Sequence, residues 1–355
     1  MTLPPSATCD VVIVGAGITG LAIATLLQAD GRDVVLLEAR DRVGGRLLSV
    51  PGSDGSAVDL GASWFWADEH RVHQLVAAHD LPTHPQHLAG DALFETGDGV
   101  QRLAGNPIDA PALRLADGTQ ALPLALAAQL GASLHLNTPV RALRIDASGQ
   151  VDVDHAGGTV RARHVVLALP PALAVADIAI EPPLPDEIAQ LARRTPVWMG
   201  AMAKAVAEYE TPFWRARGLA GAAVSYVGPL REVHDLSGPN GAGAALFGFA
   251  SPSTVALTPT AVIDQLVALF GEEARRPRTL HLQDWRSECW TSPAGVEHLT
   301  AYETYGDPRW REAIHERLWL ASTETGPDHA GHIEGALAAA ELIGGRIREA
   351  LRRTD

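Results

Sequence analysis

The stretch from Asp10 to Glu38 constrains this chain more than any other. An apolar, β-branched run, DVVIV at 10–14, has strand character. GAGITG follows at 15–20, and LAIATLLQADG then reads as a buried or amphipathic helix ending near Gly31. A second apolar strand, DVVLLEA, carries Glu38 near its end. Each glycine has its own physical reason. Gly15 permits the tight turn, Gly17 lets the backbone approach a pyrophosphate, and Gly20 lets helix and strand pack closely. The helix N-terminus offers free N–H groups and positive potential to phosphates, and Glu38 can accept hydrogen bonds from ribose hydroxyls. Strand, G-x-G-x-x-G, helix, strand and acidic residue in one unit predict a βαβ fold that binds a dinucleotide.

The remainder of the chain sets the scale. Its 355 residues predict two structural domains at about 100–200 residues each. A net charge of −14 argues against nucleic acid as the main partner, because phosphate binding needs clustered cations. No apolar run reaches the roughly 18 residues of a membrane span, and the start, MTLPPSATCD, lacks the pattern of a secretory signal. Cys9 and Cys289 are the only cysteines, which gives neither a disulfide framework nor a four-ligand zinc pattern. A cytoplasmic enzyme without a metal is expected, and the sequence leaves its oligomeric state open.

Of the 28 basic residues, 27 are arginine and one, Lys204, is lysine. A chain that uses arginine wherever either cation serves marks Lys204 as a site needing a compact, titratable ammonium, or as a chance survivor on a surface.

The residues after Glu38 say which dinucleotide. E-A-R-D-R-V-G-G-R at 38–46 resembles the second signature of the flavin-dependent amine oxidase family, which includes monoamine and polyamine oxidases and L-amino-acid oxidases. DLGASWFW at 59–66 resembles the family segment that passes beside the flavin ring. RLWLASTETGPDHAGHIEGALAAAELIGGRI at 317–347 resembles its final strand, turn and helix, with Ser322 where the family usually has glycine. The resemblance implies non-covalent FAD, since the stretch SPAGVEHL holds no cysteine where some relatives attach the cofactor. It implies cofactor contacts from Gly15, Gly17, Ile18, Gly20, Glu38, Ala39, Arg40, Gly45 and Arg46, then Gly61, Ala62, Ser63 and Trp64. Val140 would meet the adenine, and Trp285, Glu324, Gly331 and Ile333 complete the set. The helix beginning near Ile333 is expected to present its N-terminus to the flavin pyrimidine ring.

The same resemblance assigns catalytic roles. Lys204, in WMGAMAKAVAEYETPFWR at 198–215, falls on the family lysine that hydrogen-bonds a water next to flavin N5 and favours electron transfer to oxygen. Trp285 matches a tryptophan that packs against the flavin. Where monoamine oxidases place two tyrosines around the amine, this chain has Glu297 and His332, either of which can recognise a polar substrate or act as base. Trp66 and Trp198 join them as expected pocket walls. The architecture implied is α/β: a Rossmann-type FAD-binding domain at 1–78, 121–177 and 286–355, and a smaller α+β substrate domain at 79–120 and 178–285. SLHLN, RALRID, VDVDH and TVRARHVVLALPP read as a small antiparallel sheet leading into a buried strand.

Relatives with classical amine substrates are usually longer, so the substrate domain is expected to be trimmed. The ending RIREALRRTD carries no apolar tail of the kind that anchors mitochondrial relatives. Three functions follow. In the first, the flavin takes a hydride from an amine C–H to give an imine, and O2 regenerates it with release of H2O2. The second keeps FAD but oxidises dihydronicotinamides, as renalase-like relatives do, or desaturates a biosynthetic substrate. The third is a flavin-binding module without catalysis, against which Lys204 and Trp285 argue.

Overall fold

The structure is a computed structural model that describes residues 6–250 and 257–353; residues 1–5, part of the stretch read for a signal, lie outside the described set. Val11, Val12, Ile13 and Val14 sit in the strand Ser6–Val14 with little or no exposure. A parallel strand buried on both faces reads as such a continuous apolar run. It pairs in parallel with Val34–Leu37 on one side and Gly158–Leu167 on the other. Val11 and Ile13 face a core shared with the helices Ile18–Ala29, Ala121–Leu130 and Ile333–Arg352. Val12 and Val14 face a second core built with Pro171–Asp177 and Asp186–Arg194.

The whole sheet runs Ala179–Glu181, Val140–Ile145, Val151–His155, Gly158–Leu167, Ser6–Val14, Val34–Leu37, Leu134–His135, with Leu318–Leu320 also beside Gly158–Leu167. The long strand Gly158–Leu167 divides its length. Residues 158–162 pair antiparallel with Val151–His155, and residues 165–167 pair in parallel with Leu318–Leu320. The expected small antiparallel sheet is thus an extension of the nucleotide sheet. One of its four segments is corrected: Leu134–His135, within SLHLN, pairs in parallel with Val34–Leu37 at the opposite edge. Beyond residue 177, Ala179–Glu181 joins this sheet and Ile188, Leu191 and Ala192 fill its second core.

A second, seven-stranded sheet runs Thr279–Asp284, Ala203–Glu208, Ala245–Ala250, Glu232–Asp235, Leu219–Ser225, Asp91–Thr96, Gly99–Leu103. All six residues of Ala203–Glu208 are buried between two antiparallel neighbours. Its register sets Lys204 opposite Phe249 on one side and Gln283 on the other. Two sheets with helices on the faces of the first give the α/β architecture.

Candidate active site

The glycine loop is shaped by close approach. A Cβ on Gly20 would lie 2.0 Å from the Gly15 carbonyl oxygen, and one on Gly15 would lie 2.7 Å from that of Ala168. Gly17 differs: a Cβ there meets no protein atom within 4 Å, and the residue lines a cavity. Gly17 also caps the helix Ile18–Ala29 without a side-chain hydrogen bond, leaving the first N–H groups for an anion. The chain after Glu38 folds back onto this loop, with the Gly44 N–H donating to the Ala16 carbonyl at 2.8 Å. Gly44 and Gly45 hold φ of 106° and 56°, which L side chains rarely adopt.

Glu38, 4% exposed, accepts from the N–H groups of Ala16 at 2.7 Å and Arg40 at 2.9 Å. Those two bonds fix the carboxylate and leave acceptor capacity for ribose hydroxyls. A cavity of about 530 Å³ runs from this end to a second sheet-lined chamber. Gly15, Gly17, Ile18, Glu38, Ala39, Arg40, Gly45, Arg46 and Val140 line the first part. Ala62, Ser63, Trp64, Trp66, Trp198, Gly331, His332 and Ile333 line the second. The helix Ile333–Arg352 opens toward it with His332 as N-cap and no side-chain cap. These residues fit an extended dinucleotide, whose phosphates the N-terminus of Ile18–Ala29 would hold.

Several expected contacts lie elsewhere. Gly20 packs against protein as described. Gly61 does too: a Cβ there would sit 1.9 Å from the Arg46 carbonyl oxygen, so chain crossing demands this glycine. Glu324 is fully buried outside the cavity wall and binds Arg46 in a fork of 2.6 and 3.1 Å, while accepting from the Trp198 N–H at 3.1 Å. Burial alone would raise its carboxyl, but the Arg46 guanidinium overcomes this and holds it below the usual range. Arg46 also donates to the Trp198 carbonyl at 2.9 Å, so three of its five N–H groups are committed to protein. Arg40 faces the cavity yet is held by Glu288 at 3.0 Å and Thr291 at 2.8 Å. Trp285 is fully buried, its indole N–H donating to the Leu60 carbonyl at 3.0 Å, and lies behind the wall. Glu297 is on the short helical turn Val296–His298, 3.6 Å from His298, and is not among the residues that line the cavity.

Lys204 is fully buried directly behind that wall. Its Nζ donates to the Gly61 carbonyl at 2.9 Å and the Ser63 hydroxyl at 2.5 Å, with the Phe247 ring centroid at 4.1 Å. Burial pushes its ammonium down to about 7; Asp59 opposes the shift and Arg114 adds to it. The lysine therefore meets the cavity through Ser63.

Glu69, Phe249, Arg231, Glu232 and Tyr302 also line the chamber and are not singled out by the sequence. Glu69 is 1% exposed and bonds His332 Nδ1 at 2.7 Å. The only local signal is the return of its carboxylate to the Trp66 N–H, three residues back, at 3.0 Å. The others arrive from strands and turns far along the chain. Among the described residues, no group of three or more His, Cys, Asp or Glu side chains is placed to hold a metal. No helix among them is long and apolar enough to cross a membrane.

Fold and cavity together define a dinucleotide-dependent oxidoreductase with an aromatic chamber at the far end of its cofactor site. The sequence profile of the flavin containing amine oxidoreductases matches residues 18–114 and 87–343, and the chain belongs to this family. It is an FAD-dependent oxidoreductase. A Mycobacterium tuberculosis protein provisionally named a flavin-containing monoamine oxidase is 29% identical over 454 aligned positions, covering 98% of each chain. Putrescine oxidase of Kocuria rosea is 26% identical, covering 94% of this chain and 95% of its own. Both alignments are longer than the 355 residues here, so those relatives carry residues that this chain lacks. The structure of cyclohexylamine oxidase from Brevibacterium oxydans superposes with a TM-score of 0.83 over 97% of this chain and 100% of that one. At 23% identity that likeness is one of fold.

Proposed function

We propose that this protein oxidises amines to imines, which water hydrolyses, with O2 as the final acceptor and H2O2 as co-product. Non-covalently bound FAD supplies the acceptor for the hydride of the amine C–H. One observation carries the reading: the only lysine of the chain is fully buried on the second strand of the seven-stranded sheet, behind the Gly61–Ser63 backbone that borders the cavity. Held there against Phe247, the ammonium places positive potential where oxygen must accept electrons, in a setting that water does not screen. Trp64, Trp66 and Trp198 give the chamber an apolar, quadrupole-rich wall suited to the hydrocarbon body of an amine and to its cationic head. His332 is one of the polar groups that line the chamber with them. Neither Cys9 nor Cys289 lines the cavity, which supports reversible cofactor binding.

The test is anaerobic bleaching of the bound flavin's blue absorption band by putrescine, cyclohexylamine, benzylamine, phenylalanine and NADH in parallel. Bleaching by an amine, then recovery and peroxide on admitting air, is expected. Bleaching by NADH alone would replace this reading with oxidation of dihydronicotinamides, and resistance to every donor would favour a binding module.

A further inference from the structure

The chamber holds a histidine and a carboxylate in contact. Glu69 lines the cavity beside His332, and its two oxygens are divided: Oε1 lies 2.7 Å from His332 Nδ1, and Oε2 accepts the Trp66 N–H at 3.0 Å. An ionised carboxylate only accepts, so the ring nitrogen facing it carries the hydrogen. The neutral imidazole then leaves Nε2 with a free lone pair. No hydrogen bond to Nε2 is found among the described residues. The ring is fixed from other sides as well. The Trp66 ring lies 5.1 Å away at an interplanar angle of 36°, and the Thr323 hydroxyl donates to the His332 carbonyl at 2.7 Å.

We propose that Glu69 and His332 form a proton-accepting dyad, in which Glu69 positions the ring through Nδ1–H and Nε2 takes a proton from the ammonium form of the substrate. This rests on the amine-oxidation reading above. An amine near neutral pH arrives as an ammonium, whose nitrogen lone pair is occupied and cannot assist loss of hydride from the neighbouring carbon. At His332 one N–H bond of the ammonium breaks, its electron pair stays on the nitrogen, and the proton forms the Nε2–H bond. The imidazolium now has two N–H groups, one shared with the Glu69 carboxylate. The proton leaves to water on the open side, since the His332 side chain remains 36% exposed.

The surrounding charges bear on whether Nε2 can accept. His332 caps the positive end of Ile333–Arg352, which opposes a second positive charge. Glu334 in that first turn is tied to Arg71 at 3.0 Å and to the Val72 N–H at 3.0 Å. His329, whose ring is 6.2 Å from that of His332, is paired with Asp68 and Asp328 at 3.2 and 3.5 Å. Glu69 is thus the carboxylate in direct contact, and it supplies the balancing charge. The substrate class that suits the dyad is a primary amine entering as its ammonium, with an apolar body against Trp66 and Trp198.

Nuclear magnetic resonance of the holoenzyme labelled with 15N-histidine tests the geometry without turnover. The resonances lost in His332→Gln identify this ring, and they are expected to show a protonated Nδ1 and a bare Nε2 in the neutral form. Glu69→Gln should abolish that preference, because an NH2 donor replaces one of the two oxygens that accept from the Trp66 N–H and Nδ1–H. In kinetics with the fastest amine of the panel, His332→Gln should lower kcat/KM about 100-fold at neutral pH. The loss should shrink as the pH climbs toward the amine's own ionisation, where the neutral amine is supplied by solution; a purely structural defect would persist at every pH. A neutral ring protonated on Nε2, an unchanged ring titration in Glu69→Gln, or a pH-independent loss would overturn the dyad while leaving amine oxidation standing. Failure of every amine to bleach the flavin would remove the amine reading itself, and the ammonium substrate with it.

Discussion

Lys204 shows how a single side chain can be named from composition while its environment waits for the structure. Unfolded, it keeps its proton up to the ordinary value of 10.5; folded, it releases it near 7. Between those values the unfolded chain binds more protons, so stability rises with pH across the window and is lost again as pH falls through about 7. The gain between pH 7 and 9 is expected to be roughly 2 kcal/mol, read by urea unfolding, and Lys204→Met should abolish it. Because the chain has no other lysine, 15N-lysine labelling gives one side-chain signal whose titration reports this group directly. The same Lys204→Met protein should stay yellow yet regain its flavin band slowly in air after bleaching; recovery at the parent rate would remove Lys204 from the oxygen step. Glu324 is the opposite case, an acidic residue expected at the cofactor that instead neutralises Arg46. Glu324→Gln leaves that guanidinium without its counter-charge and should cost about 3 kcal/mol in denaturant unfolding. Adding Arg46→Met should restore part of the loss.

Among the elements, the first βαβ unit separates glycines whose Cβ would meet backbone from the one whose Cβ would meet no protein atom. Gly20→Ala would drive a Cβ to 2.0 Å from a backbone oxygen that cannot move away, so the helix Ile18–Ala29 must shift off the sheet. Poor soluble yield and loss of bound flavin are expected. Gly17→Ala meets no protein atom, and its φ of −69° and ψ of 174° suit any residue. Its unfolding free energy should fall by under about 1 kcal/mol, the scale of an N-cap change. Its FAD affinity should fall about tenfold or more, a loss of roughly 1.4 kcal/mol. Equal losses of stability in the two variants, measured by thermal unfolding of the FAD-free proteins, would contradict this division. The G-x-G-x-x-G spacing announces all three glycines alike. Only the contacts show that a Cβ on Gly15 or Gly20 would meet backbone while one on Gly17 would meet no protein atom. Gly61 behaves in the same way, since its neighbour is Arg46, a residue fifteen positions earlier whose chain crosses at van der Waals contact.

Across the whole molecule, the cavity walls come from both sheets: Val14, Leu37 and Val140 from one, Phe249 and Glu232 from the other. Ligand that fills it bridges the two and should raise their stability together. FAD at 100 times its Kd is expected to stabilise the protein by about 2.7 kcal/mol, with one cooperative transition in calorimetry. Two separated transitions, only one of which moves with FAD, would show that the sheets respond independently. Denaturation in urea should release all flavin into a protein-free filtrate; colour retained on the chain would contradict non-covalent binding.

Local pattern determined the βαβ unit, its glycines, Glu38, and the flavin signatures near both ends, because turn sterics and helix-end electrostatics act over a few residues. It also singled out Lys204 and His332, the first by rarity and the second by departure from a motif. Tertiary structure alone decided that Lys204 lies behind Ser63, that Glu324 belongs to Arg46, that Glu297 is not part of the chamber lining, and that Glu69 holds His332. Those partners are set by how two sheets and a crossing segment pack, and a side chain buried against residues 140 or 260 positions away leaves no periodic trace in its own neighbourhood.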